Sequence, residues 1–269
     1  MSITSKVSMT DNSNPALVLV HGLGSAGTIW KSLIPDLVND FTVYSIDLPG
    51  HGTATLLEDE KYDPRSLGEM ILGHMQEVHN VHQMHLAGNS LGGWIALEMA
   101  AQRPTHVASV TALAPAGLWL EGPTMKIPPS IDSRILAKVT QFFMPIAFHL
   151  PPLKAIGYRK ITHLWRELSY ETCKDSVIAM ARSKGYRPLW LAMMGKKFES
   201  DVAPEVKISV VFGSSDLTLP EPLAQEKSSL PVHAKWIRVP NCAHVIMWNH
   251  RETTVKLIKE TAGIQADSY

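Results

Sequence analysis

Gly88-Asn89-Ser90-Leu91-Gly92 has the form G-x-S-x-G, a serine with a glycine two residues to either side. Such a serine serves as a nucleophile when it sits on a sharp strand-to-helix turn. The glycines remove Cβ atoms that would collide there, and the turn holds Oγ in open space. A serine hydroxyl is a weak nucleophile. It needs a base, and the base needs an acid to orient it. Twelve histidines compete for the base. His244 lies in Pro240-Asn241-Cys242-Ala243-His244, just after the apolar run Ala234–Val239, and Asp216 lies in Gly213-Ser214-Ser215-Asp216, just after the run Lys207–Phe212. Asp47 belongs to a different loop, and Asp201 precedes its strand. His21-Gly22-Leu23-Gly24-Ser25 follows the first apolar run. The Leu23 N–H there, with that of Leu91, would cradle the oxyanion of a tetrahedral intermediate. Asp47-Leu48-Pro49-Gly50-His51-Gly52 reads as a structural turn with His51 near the mouth of the site.

These residues act together only if the fold brings them to one place. Ala16–Val20, Phe41–Asp47, Met84–Ala87 and Val107–Ala114 are short apolar runs ended by turn residues. They read as buried parallel strands. Helical patterns at Ser66–His79 and Leu91–Ala101 alternate with them, so the expected fold is α/β, a mostly parallel central sheet flanked by helices. Parallel strands put all their C-terminal ends on one side, and each candidate loop follows such an end.

From Leu118 to about Ser200 no strand pattern appears, and seven prolines divide the segment into short helices. It reads as a helical cap or lid, residues 118–200, inserted into a core domain made of 1–117 and 201–269. One helix is expected over Ser133–Pro145 and another after Pro188. Phe142, Phe143, Trp190, Met193 and Met194 are the residues expected to roof an apolar substrate pocket above Ser90. The sheet pattern resumes after the cap, and a last helix covers about Arg251–Thr261.

Composition bounds what the chain does. It has 269 residues, 45% apolar and 19% charged, enough to bury a sizeable core. Lys plus Arg equals Asp plus Glu at 25 each. The absence of a basic excess argues against nucleic acid and against an electrostatically held membrane role. No apolar stretch approaches the ~20 residues of a membrane span, so no stable membrane insertion is expected. The first fifteen residues are polar, without the apolar region of a secretory signal. Two cysteines, Cys173 and Cys242, make neither a disulfide framework nor a four-ligand metal site, which fits a reducing cytoplasm. His79, His82 and His85 recur every three residues but cross from a helix end into a strand, so no metal is assigned to them. Cys242 is read as a small buried apolar residue.

With these motifs in order, the chain resembles the α/β-hydrolase superfamily, of the capped serine esterase and lipase-like type. The matching residues are HGLGS at 21–25, DLPGHG at 47–52, GNSLGG at 88–93, GSSD at 213–216 and NCAH at 241–244. The order Ser90, Asp216, His244 is the one that superfamily carries. The resemblance implies a cap inserted after the sixth strand and two antiparallel strands ahead of the HG strand. Only about fifteen residues precede that strand, so the hairpin is expected to be shortened. Serine at the elbow disfavours the epoxide hydrolases and haloalkane dehalogenases, which carry aspartate. The implied activity is hydrolysis of carboxylic esters of small to medium apolar acyl groups through an acyl-enzyme, with no cofactor and no metal. The protein is expected as a monomer or homodimer whose partner is a small-molecule ester. Alternatives are a carbon–carbon bond hydrolase of ring-fission products, a lactonase, and, outside enzymes, a small-molecule receptor on a hydrolase scaffold.

Overall fold

The apolar runs form strands that pair side by side. In the computed structural model, which describes residues 2–11, 13–124 and 131–264 with the side chains of 131–133 left out, seven strands make one sheet in the order β1-β3-β2-β4-β5-β6-β7. They are β1 Thr4–Ser8, β2 Ala16–Val20, β3 Thr42–Asp47, β4 Met84–Asn89, β5 Val107–Leu113, β6 Lys207–Gly213 and β7 Lys235–Val239. Every pairing is parallel except β1 with β3. One strand therefore stands where the resemblance implied two. β1 is a short, half-exposed edge strand whose alternation is too weak to read in sequence. With one strand fewer ahead of it, the strand before the helical segment is β5 here and the sixth in the superfamily's count.

All five residues of β2 are buried, because both faces of the sheet are covered. Val18 and Val20 face a core shared with Leu67, Trp94 and Met99; Leu17 and Leu19 face one shared with Leu37, Phe41 and Ile258. The first face is covered by α2 (Pro64–His79) and α3 (Leu91–Gln102), the second by α1 (Ile34–Leu37) and α10 (Arg251–Ala262). Helix α2 starts at Pro64, with the Asp63 side chain accepting the Ser66 N–H at 3.3 Å, and stops at left-handed Asn80. Helix α3 is buried almost all round, so its apolar residues show no stripe.

Between β5 and β6 the described residues form helices and loops: α4 Ile131–Thr140, α5 Met144–Ala147, α6 Pro151–Tyr158, α7 Tyr170–Arg182 and α8 Tyr186–Met193. The expected helix over Ser133–Pro145 is thus two elements, broken between Thr140 and Met144 ahead of Pro145. The helix expected after Pro188 begins two residues earlier, because a proline in the first turn lacks an N–H that would have had no helical acceptor. A small core of Met144, Tyr158, Leu168 and Cys173 holds these helices together. Within it Lys154 Nζ donates to the carbonyls of Arg166 and Leu168, each at 2.9 Å. A last short helix, α9 (Ile246–Asn249), follows β7. No described helix is long and apolar enough to cross a membrane.

Candidate active site

Register carries the loops to one edge. Val20 is paired with Gly88, Asn89 with Leu113, Leu113 with Val211, and Gly213 with Val239. The residues that follow these strand ends therefore meet above the same side of the sheet.

Ser90 occupies the turn between β4 and α3 with φ 56° and ψ −118°, a conformation costing a non-glycine residue on the order of 1–3 kcal/mol. The glycines around it are sterically required. A Cβ on Gly88 would lie 2.2 Å from the Gly92 carbonyl oxygen, and one on Gly92 would lie 2.1 Å from that of Val20. The strain is held by backbone bonds. Ser90 N–H donates to Leu113 O at 2.9 Å, while Ser90 O accepts from Gly93, Trp94 and Ala116.

Asp216 and His244 come together although 28 residues apart: His244 Nδ1 donates to Asp216 Oδ2 at 2.8 Å, and both are buried. Asp216 Oδ1 accepts the N–H groups of Thr218 and Leu219. Burial alone would push the Asp216 carboxyl up, but the hydrogen bond and charge of His244 and the two backbone N–H donors outweigh it, and its pKa is lowered. The carboxylate is thus held ionised and fixed from two sides. Asn89, one residue before Ser90, donates from Nδ2 to Leu113 O at 3.1 Å and to His244 O at 3.3 Å. It ties the serine turn to the histidine loop, a role that nothing in its type or spacing marks in the sequence.

Among the described residues neither the Leu23 N–H nor the Leu91 N–H has a protein acceptor. The loop that carries Leu23 is braced by two fully buried histidines. Leu48 N–H donates to His21 Nε2 at 3.1 Å, so the proton of His21 is on Nδ1, which donates to Gly22 O at 2.7 Å. Gly24 N–H donates to His51 Nε2 at 3.2 Å, and His51 Nδ1 donates to Pro49 O at 3.0 Å. Burial pushes both imidazoles down, His51 to about 3, with the neighbouring His21 adding to the effect. Both stay neutral at physiological pH, and each ring nitrogen has a defined role. His51, read from sequence as part of a turn, directly sets the amide next to Leu23.

The expected pocket residues divide. Phe142 and Phe143 are 76% and 59% exposed and do not close a roof over Ser90. The buried residues of their segment are Ala137, Met144 and Ala147, so the aromatic rings turn outward. Leu189 and Met193 are buried in the main core, with Trp190 packed against that core; Met194 is half-buried. Met180 of α7 and Tyr186 of α8 stand over the loop that carries Leu23 instead. A Cβ on Gly24 would lie 2.8 Å from Met180 Cε and from Tyr186 Cε2. The helical segment between β5 and β6 is tied to these loops at two further points: Gly185 N–H donates to Gly50 O at 3.1 Å, and Val245 N–H to Ile161 O at 3.0 Å. A cleft of about 230 Å³ between Ser25–Ser32 and α7, closed by Trp248, lies beside this arrangement and includes neither Ser90 nor His244.

The His79, His82 and His85 series and Cys242 have other partners and surroundings. His79 Nε2 bonds Ser5 Oγ, His82 Nε2 bonds Asn80 Oδ1 and His85 Nδ1 bonds Ser109 Oγ, so the three rings face three different partners. The His85–Ser109 pair joins β4 to β5 within the sheet, away from the C-terminal strand ends where the candidate loops meet. Cys242 is buried, and its thiol is pushed up to about 12, by burial first and then by the Asp216 charge.

A family model, that of the alpha/beta hydrolase family, matches residues 17–257. The chain belongs to the alpha/beta hydrolase family. This hydrolase is 28% identical over 264 residues to a pimeloyl-[acyl-carrier protein] methyl ester esterase of Methylococcus capsulatus, covering 93% of its own length and 96% of the relative's. It is 21% identical to a monoacylglycerol lipase of Bos taurus, covering 91% of itself and 74% of that protein. Its fold is similar to that of an enol-lactonase from Burkholderia xenovorans, with a TM-score of 0.72, 18% identity, and 97% and 96% of the two chains covered.

Proposed function

We propose that this hydrolase is a serine esterase that cleaves carboxylic esters of small to medium apolar acyl groups through an acyl-enzyme, with the helical segment 118–200 as its cap. The observation that carries the reading is the Asp216–His244 hydrogen bond at 2.8 Å, joined through Asn89 to the strained turn of Ser90. In this mechanism Ser90 Oγ attacks the ester carbonyl while His244 Nε2 takes its proton, Asp216 holding the Nδ1–H tautomer and stabilising the imidazolium. The N–H groups of Leu23 and Leu91 receive the oxyanion, aided by the positive end of α3. His244 returns the proton to the departing alcohol, and the acyl group stays on Ser90. Water, deprotonated by His244, then attacks the acyl-enzyme and frees the acid. Met180, Tyr186 and Leu23 supply apolar surface beside the oxyanion loop, which supports an apolar acyl group. The esterase and lipase names of the sequence relatives favour esters over other hydrolase substrates.

Labelling with a fluorophosphonate followed by an ester panel tests this. Wild type is expected to label rapidly, Ser90→Ala not at all, and the variant to lose about 10⁴-fold or more in turnover. A Ser90→Ala protein with near-normal turnover removes the assignment. Rapid labelling of wild type with no turnover on any ester or lactone favours a receptor. In a p-nitrophenyl series, butyrate or hexanoate is expected to outrun both acetate and palmitate, since two extra buried methylenes contribute roughly tenfold. Fastest turnover on acetate with a steady decline removes the apolar acyl pocket. The panel also includes a lactone, a ring-fission product and a methyl ester on an acyl-carrier protein.

A further inference from the structure

The zero net charge of the chain conceals a division. Of its 25 Lys and Arg, 13 fall in residues 118–200, against 6 of its 25 Asp and Glu; the cap segment carries +7 and the remainder −7. Within the cap the asymmetry is sharper still. Residues 133–166 are 34 consecutive positions without a single Asp or Glu, and they hold six Lys or Arg. Lys154 is spent inside the cap, on the carbonyls of Arg166 and Leu168. Lys138, Arg159, Lys160 and Arg166 are exposed.

The same stretch concentrates exposed large apolar side chains. Among the described residues sixteen large apolar side chains are exposed, and eight of them lie between Ile135 and Ile156. Phe142, Phe143, Ile146, Leu150, Leu153 and Ile156 are the six that follow α4. Met144, Ala147, Lys154 and Tyr158 turn inward from the same segment, so its two faces are distinct. Folded monomers seldom leave so concentrated an apolar surface bare without a use. A transient protein interface is no more apolar than ordinary surface, and its aliphatic content does not explain this face. Exposed Phe, Ile and Leu flanked by Lys and Arg, with no acidic residue among them, is the pattern of a segment that lies in the interfacial region of an anionic bilayer. The absence of a spanning helix among the described residues agrees with adsorption rather than insertion.

We propose that the α4–α6 face of the cap docks on an anionic lipid surface, with Phe142, Phe143, Ile146 and Ile156 entering the headgroup–acyl boundary and Lys138, Arg159 and Lys160 meeting anionic headgroups. Substrate chemistry at Ser90 is not needed for this docking, so the two readings stand or fall separately.

Flotation of the full chain with vesicles tests it. Vesicles of phosphatidylcholine with about 30% phosphatidylglycerol are expected to carry at least tenfold more protein than phosphatidylcholine alone at low salt, and the excess to vanish in high salt. Lys138→Glu/Arg159→Glu/Lys160→Glu is expected to lower binding to the anionic vesicles by roughly fivefold per cation or more. Ile146→Ser/Leu150→Ser/Ile156→Ser is expected to abolish binding with an unchanged melting temperature, because those side chains are exposed. The proposal is overturned if wild type does not float with the anionic vesicles, or if binding ignores both salt and the charge reversals. It is equally overturned if the chain sediments as a dimer that the serine triple variant dissociates while vesicles bind neither, since a second copy would then cover the face.

Discussion

The sheet core and the helical segment 118–200 solve opposite problems. In the core, β2 is buried along its whole length and Ser90 is held by backbone bonds from β5 and α3, so position is set by a lattice of hydrogen bonds with little freedom. In the cap, short helices divided by prolines share a small core of four buried residues, and much of their apolar surface faces out. The difference teaches where geometry is enforced. The candidate site residues sit on loops at strand ends, while the helical segment is rich in exposed apolar and cationic side chains.

The largest test of that contrast is electrostatic. Asp216→Asn keeps the shape of the core but offers His244 an amide, and kcat on an ester is expected to fall by about 10⁴-fold with folding nearly intact. An unchanged kcat would send the search to another carboxylate. Next comes packing. A Cβ on Gly92 would meet the Val20 carbonyl at 2.1 Å, so Gly92→Ala is expected to cost about 3 kcal/mol in urea unfolding and most of the activity. A variant as stable as wild type would mean that the turn relaxes and that the core is less rigid than described.

The third test uses pH. His51 is buried neutral with a pKa of about 3, whereas an unfolded histidine titrates near 6.5. Between those values the unfolded chain binds the extra proton, so stability falls as pH drops from about 6.5 toward 3, by up to ~1.4 kcal/mol per pH unit for this group. His21, also pushed down by burial, adds to the slope in the same direction. His51→Asn is expected to be less stable at pH 7.5 yet to lose less between pH 6 and 5; parallel curves in urea titrations would remove the brace from this account. The smallest effect belongs to the cap. Gly157 lies in α6 with nothing within 4 Å of an added Cβ, so Gly157→Ala is expected to gain ~0.5 kcal/mol without altering ester turnover. A loss there would show that the cap is as closely packed as the core.

Reading the sequence went furthest where a local rule is strict. Gly88 and Gly92 have to lack Cβ atoms for the serine turn to close, and an unbroken apolar run such as Ala16–Val20 suits a strand covered on both faces. The sequence does not orient Phe142 and Phe143, because an apolar stripe on a short helix says only that one face is apolar. Which way the stripe turns depends on its neighbours, and here Met144, Ala147 and Tyr158 took the interior. Nor does the sequence mark the roles of Asn89 and His51, since their partners, His244 O and the Gly24 N–H, lie 155 and 27 residues away.

By itself, then, the sequence determined the six parallel strands, the serine turn and the chain order of Ser90, Asp216 and His244, because apolar runs and glycine positions act over a few residues. The tertiary structure alone decided the Asp216–His244 bond, the neutral state of His21 and His51, and the outward face of α4–α6. Each of those depends on burial, and burial is a property of the packed whole: a residue's distance from water is set by elements it meets only after the chain has folded.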